Sequence, residues 1–143
     1  MAVLTTYARV YVDDLDTALP TFEALTGTKP GLRFAYEGVE LAAIGACLLV
    51  AGTPEALAPF RNVQATAIVD DLEEVFAVVA REGGEALDGP NDVPTGRNLT
   101  ILHPGGAVIE YVQFESAGSA GSVGSAGSVG SVGSVGFEER PVQ

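Results

Sequence analysis

The block Val12-Asp13-Asp14-Leu15 is written a second time as Val69-Asp70-Asp71-Leu72, 57 residues further on (12 to 69). The correspondence extends past the four letters. At the same offset Leu15, Ala18, Leu19 and Phe22 fall on Leu72, Val75, Phe76 and Val79, and Gly27 falls on Gly84. Each copy is an apolar run, an acidic pair, an amphipathic helical pattern and a glycine. A fixed internal period means one supersecondary unit used repeatedly, with faces that need a neighbour to bury them. A site is therefore expected where the two copies face each other.

In the first copy, Thr5 to Val12 is rich in β-branched and aromatic residues and reads as a strand. Alternation puts Tyr7, Arg9 and Tyr11 on one face and Ala8, Val10 and Val12 on the other. The small apolar set is expected under the helix, leaving the larger polar-aromatic set to face something else. Asp13 or Asp14 supplies the helix N-cap, and Gly27 a left-handed C-cap. Pro20 lies past the first turn, so a kink or early break is predicted near Leu19; the second copy has Ala77 there and should run straighter. Strands are predicted at Leu32 to Glu37, Val39 to Ile44 and Cys47 to Ala51, with glycine turns between them. Thr53 to Arg61, carrying Pro54 and Pro59, reads as a connector with a short helical turn at Pro54 to Leu57.

The second copy opens with a strand at Gln64 to Val69 and a helix from Asp71 to about Glu82 that stops at Gly83-Gly84. Strands are predicted near Ala86 to Leu87, at Asn98 to Leu102 and at Ala107 to Phe114, with a long loop from Asp88 to Gly96. Each copy is therefore β-α-β-β-β. The expected organisation is a folded unit over 1–115, with module 1 at about 4–52, a linker at 53–62 and module 2 at about 63–115. Residues 116–143 form a low-complexity tail in which Ser-Ala-Gly or Ser-Val-Gly recurs to Gly136. Such small residues bury too little surface to offset backbone entropy, so disorder is expected there.

Charge narrows the partners. The net charge is -12 and Lys29 is the one lysine. That surface repels phosphate backbones and anionic bilayers, so neither nucleic acid nor a membrane is an expected partner. A single cysteine, Cys47, forms no internal disulfide and suits a reducing cytoplasm. Met1 to Ala8 lacks the basic start and apolar core of a signal peptide. A soluble cytoplasmic protein is the expectation.

Paired β-α-β-β-β modules with V-D-D-L after each first strand, closing on His103-Pro104-Gly105-Gly106-Ala107-Val108-Ile109-Glu110-Tyr111, resemble the vicinal oxygen chelate superfamily. That group includes glyoxalase I, extradiol dioxygenases, fosfomycin-modifying enzymes and bleomycin-binding resistance proteins. The resemblance spans roughly Thr5 to Phe114. The closing run is similar to the family's D-P-x-G-x-x-I-E-L, with His103 in place of the aspartate. It implies an α+β fold whose two tandem modules form curved mixed sheets around a shared cavity, as a homodimer that is side by side or module-swapped. It also implies four positions for a divalent ion: Tyr7, Gln64, Glu110, and either Leu48 or Leu49. Tyrosine and leucine there make a poor ligand set, so no metal and no cofactor are expected.

The residues left at the site then decide the function. Glu110 stands in an apolar strand, and a buried carboxylate is costly unless paired; Arg9 shares its interior by strand parity. The two form either a structural pair or a ligand-orienting one. Tyr7, Tyr11 and Tyr36 offer aromatic walls or ordinary packing, and Gln64 and Thr66 share the second copy's inward face. Glu40 points either inward or to solvent. Arg97-Asn98 either closes the cavity mouth or forms a surface pair. His103 has no partner placed for a catalytic triad, and Cys47 reads as core. The leading expectation is metal-independent binding or sequestration of a hydrophobic or aromatic metabolite or antibiotic by Tyr7, Arg9, Tyr36, Gln64, Thr66 and Glu110. The alternatives are a lyase, isomerase or cyclase using Glu110 as base, metal-free or with a degenerate metal site, and a dimerisation module whose cavity is filled.

Overall fold

A computed structural model of the chain describes residues 2–115. The tail at 116–143, and the expectation of disorder attached to it, lies outside the described residues.

The first copy builds β1 (Val3–Val12), α1 (Leu15–Thr26), β2 (Leu32–Tyr36), β3 (Val39–Ile44) and β4 (Cys47–Ala51). A connector follows, with α2 (Pro54–Leu57) and one 3-10 turn at Ala58–Phe60. The second copy builds β5 (Ala65–Val69), α3 (Leu72–Arg81), β6 (Glu85–Val93), β7 (Gly96–Leu102) and β8 (Val108–Phe114). The strands make one curled mixed sheet in the order β2-β3-β4-β1-β5-β8-β7-β6. Once the copies are equated, that order reads the same from either end. The centre is the antiparallel pair β1–β5, in which Ala8 sits opposite Ala65. These two are counterparts at the 57-residue offset, so a pseudo-twofold axis crosses the sheet between them.

The helices cover the convex face because strand parity leaves them apolar partners there. On α1, Leu15 and Leu19 pack on Ala42, Ile44, Leu49 and Ala51, with Val10 and Val12 beside them. On α3, Leu72, Val75 and Val79 pack on Ala67, Val69, Leu99 and Ile101. Leu15, Leu49, Leu72, Leu99 and Ile101 are all fully buried, each contributing about 1.5–3 kcal/mol by leaving water. The second aspartate of each repeated block is the cap. Asp14 Oδ2 accepts from Thr17 N and Thr17 Oγ1 at 2.9 Å each, and Asp71 Oδ1 accepts from Glu73 N at 3.0 Å and Glu74 N at 3.2 Å. Gly27 ends α1 at φ 71, its N–H donating to Glu23 O, a left-handed cap as expected.

Two local expectations need correction. Of the kink or early break expected near Leu19, the break does not occur: α1 runs through Pro20 for 12 residues. Pro20 is exposed, so the carbonyl it leaves unpaired can meet water at little cost. The segment from Asp88 to Gly96 is not a loop either. β6 pairs Asp88 with Thr100, Asn91 with Asn98 and Asp92 with Arg97, with register shifts on either side of Asp88. It is an edge strand, where a proline need not donate to a ladder and a glycine can sit in a bulge.

Candidate functional site

The concave face of the sheet encloses a cavity of about 340 Å³. Parity sends the other side chain of each pair inward: Leu48 enters the cavity wall while Leu49 goes under α1. The connector and the residue after it supply Pro59, Phe60, Asn62 and Val63 to one wall, and the end of β6 with the turn after it supplies Val93, Pro94 and Thr95 to another. Phe34, Tyr36, Phe60 and Phe114 give the cavity its aromatic surface. Its own side chains leave this volume open.

At the sheet's centre the lining turns polar. Arg9 Nη2 donates to Glu110 Oε1 at 2.6 Å, and Arg9 Nε donates to Thr66 Oγ1 at 2.9 Å. Thr66 Oγ1 in turn donates to Glu110 Oε1 at 3.0 Å, and Asn98 Nδ2 donates to Glu110 Oε2 at 2.7 Å. The Arg9 and Glu110 side chains keep 4% and 15% of their surface exposed. Charged hydrogen bonds in such a dry setting hold their geometry. A carboxylate only accepts, which fixes the Asn98 amide with its nitrogen toward Glu110. Its other end, Asn98 Oδ1, is buried and has no hydrogen-bond partner among the described residues.

Of the residues expected at the site, Tyr7, Arg9, Tyr36, Thr66 and Glu110 all line the cavity. Gln64 does not. It is exposed, just before β5, and its Oε1 accepts from Val108 N at 3.0 Å. Tyr11 lies beside the cluster and does structural work: its hydroxyl sits between the carbonyl oxygens of Phe60 and Val63, donating to one at a time, and accepts from Arg9 Nη1 at 3.4 Å. Glu40 faces outward with Arg33 at 3.5 Å. Arg97 joins Glu73 and Gln113 away from the cavity, and His103 Nε2 meets the Tyr111 hydroxyl at 2.8 Å. Asn98, considered with Arg97 for the cavity mouth, instead joins the polar centre beside Glu110. Its signal was present: at the repeat offset it stands opposite Leu41, which also lines the cavity.

Burial raises the Tyr36 phenol above its usual value, with further contributions from Glu37, Asp88 and Glu110. Glu37 and Asp88 themselves line the cavity.

The fold family's metal positions do not fit a divalent ion here. β1, β4 and β5 offer Tyr7, Leu48 and Thr66 to the cavity, and a guanidinium already occupies Glu110 at 2.6 Å. No cluster of three or more His, Cys, Asp or Glu suited to a metal occurs among the described residues. A cation there would have to displace another cation.

An uncharacterized protein from Methanosarcina mazei is 47% identical to this chain, covering 80% of it and 95% of its own length, with a TM-score of 0.77. The two proteins belong to one family. Methylmalonyl-CoA epimerase from Mycobacterium tuberculosis is 21% identical over 82% of this chain and 93% of its own, at a TM-score of 0.67. The Streptomyces coelicolor methylmalonyl-CoA epimerase, solved with 2-nitronate-propionyl-CoA, is 19% identical over 81% of this chain and 100% of its own, at 0.59. At that identity these epimerases show the fold alone, a curled mixed sheet like that of the vicinal oxygen chelate proteins. No protein-family model matches the chain, and comparison with curated proteins gives no match. No helix among the described residues is long and apolar enough to cross a membrane.

Proposed function

We propose that this protein binds a small, largely apolar or aromatic molecule in the cavity between its two repeats, without a metal ion. The observation that carries the reading is a roughly 340 Å³ hollow, walled by aromatics, whose polar centre is already bonded to itself. Preformed pockets of this size and mixed lining are typical small-molecule sites. Affinity would come from burial against Phe34, Phe60 and Phe114, while the Arg9–Glu110 centre sets orientation. A thermal-shift screen with apolar and aromatic compounds tests it. Ligand at about 100 times its Kd stabilises by about 2.7 kcal/mol, and a screen in which nothing raises the melting temperature would overturn the proposal.

A second reading, a metal-free lyase, isomerase or cyclase with Glu110 as base, is favoured by one observation. Glu110 lines the cavity and its Oε2 takes a single donor, Asn98, among the described residues, which leaves it accepting capacity. The epimerases that share the fold are named for epimerising methylmalonyl-CoA. Against this stand the three donors that hold the carboxylate, which reduce its freedom to accept a substrate proton. If it is an enzyme, Glu110→Gln abolishes turnover while leaving the fold intact. A homodimer belongs to the proposal as well; exposed Leu4 and Leu25 support it, and light scattering after gel filtration tests it.

A further inference from the structure

The groups facing the cavity are unbalanced in two independent ways. The first is charge. Its charged lining is Arg9 against Glu37, Asp88 and Glu110. Arg9 is nearly buried and committed to Glu110, Thr66 and Tyr11, so its charge is neutralised where it stands. Glu37 and Asp88 lie exposed at the mouth, with no cation paired to them among the ion pairs of the described residues. The chain's charge of -12 reinforces their field. An anionic guest would enter against two carboxylates and find no free cation inside.

The second is hydrogen bonding. Asn98 is 7% exposed and lines the cavity, yet its Oδ1 has no partner. A buried acceptor without a donor carries a desolvation cost that a donor from the guest would remove. The adjacent Glu110 Oε2 also keeps accepting capacity. The polar centre therefore has acceptors to offer, while its own donors, Arg9, Thr66 and Asn98 Nδ2, are already engaged.

We infer that the ligand of this cavity carries a cationic hydrogen-bond donor, in the simplest case a protonated amine, on an aromatic or apolar body. The inference rests on the binding function proposed above and narrows its ligand class. The aromatic wall of Phe34, Tyr36 and Phe60 suits the same guest, since ring faces attract cations as well as apolar surface. Polyanions, including acyl-CoA thioesters, are the wrong class for this mouth.

Three probes of one shape and different charge separate the possibilities: 4-phenylbenzylamine, 4-phenylbenzyl alcohol and 4-phenylbenzoate, titrated by calorimetry into the full chain at pH 7 and low salt. The amine is expected to bind about tenfold or more tightly than the benzoate. The amine-to-benzoate ratio should shrink in 0.5 M salt, and in the double variant Glu37→Gln, Asp88→Asn. The side-chain amide signal of Asn98 should move with the amine in a nitrogen-proton correlation spectrum. If the alcohol binds and the benzoate matches or beats the amine, the charge inference is overturned and the cavity reading survives. If none of the three binds, both fall. An amine preference that persists in the double variant would overturn the role given to the two rim carboxylates, and an unmoved Asn98 signal would overturn the role given to Oδ1.

Discussion

Arg9 donates its Nε–H to Thr66 Oγ1 at 2.9 Å, across 57 residues of sequence, so each is the other's counterpart in the repeat. Two copies of the same side chain could not make this bond: paired arginines repel, and paired threonines leave Glu110 without a counter-charge. The polar centre exists because the copies diverged at one equivalent position. Replacing Arg9 by Met should therefore be severe, about 3–5 kcal/mol, since it strands a buried carboxylate. The double change Arg9→Met, Glu110→Gln should recover part of that loss. Urea unfolding of the two single variants and the double measures the coupling, and simple additivity would refute a coupled pair.

The Tyr11 hydroxyl ties the connector to β1 through the Phe60 and Val63 carbonyls. Tyr11→Phe should cost about 1–2 kcal/mol and expose the connector at 53–62. Limited proteolysis checks this, with faster cleavage expected there than elsewhere in the folded unit.

Gly96 opens β7 at φ 149, where a Cβ would collide with the Gln113 carbonyl oxygen and lie 3.0 Å from Phe114 Cα. Those atoms are backbone and cannot yield cheaply. Gly96→Ala should destabilise by about 2 kcal/mol or more, read as a lower urea midpoint.

Acid should loosen α1 through its cap. The bonds from Thr17 hold Asp14 below its usual carboxylate value. A lowered folded-state value means the stabilisation is present above the unfolded value, near 3.9, and is lost as pH falls through the folded one. The Asp14→Ala variant should show a shallower loss of melting temperature between about pH 5 and 2 than the parent.

The alkaline side has the opposite sign. Burial raises the Tyr111 phenol, so its contribution is present below about pH 10 and is lost as pH rises through the folded value. Stability measured from pH 9 upward should fall less steeply in Tyr111→Phe.

How much of this could be read beforehand depends on how local the cause is. The module order and the helix starts at Asp14 and Asp71 were legible, because a cap is a bond between a side chain and amides two or three residues away. Tyr7, Arg9, Thr66 and Glu110 were legible through parity within well-formed strands. Gln64 was not, although it shares Thr66's parity. It precedes the first residue of β5, where its side chain turns to Val108 instead. β6 was hidden by Gly89 and Pro90, whose tolerance depends on lying at the sheet's edge, a tertiary fact. Leu48 and Leu49 could not be told apart because the second half carries a longer β7–β8 turn. Cys47 stands beside Ala8 and Ile109 beside Ala65, a spacing of 62 (47 to 109) in place of 57.

The ladder from β1 to β5 has a mechanical consequence. The halves share main-chain hydrogen bonds from Ala8 to beyond Thr5, so they cannot swing apart as jaws without tearing the middle of the sheet. Traffic into the hollow must go over the outer rims, past Tyr36 and Glu37 on one side and Leu87 and Asp88 on the other. The residence time of a guest would then be governed by those few gatepost residues, and not by any hinge.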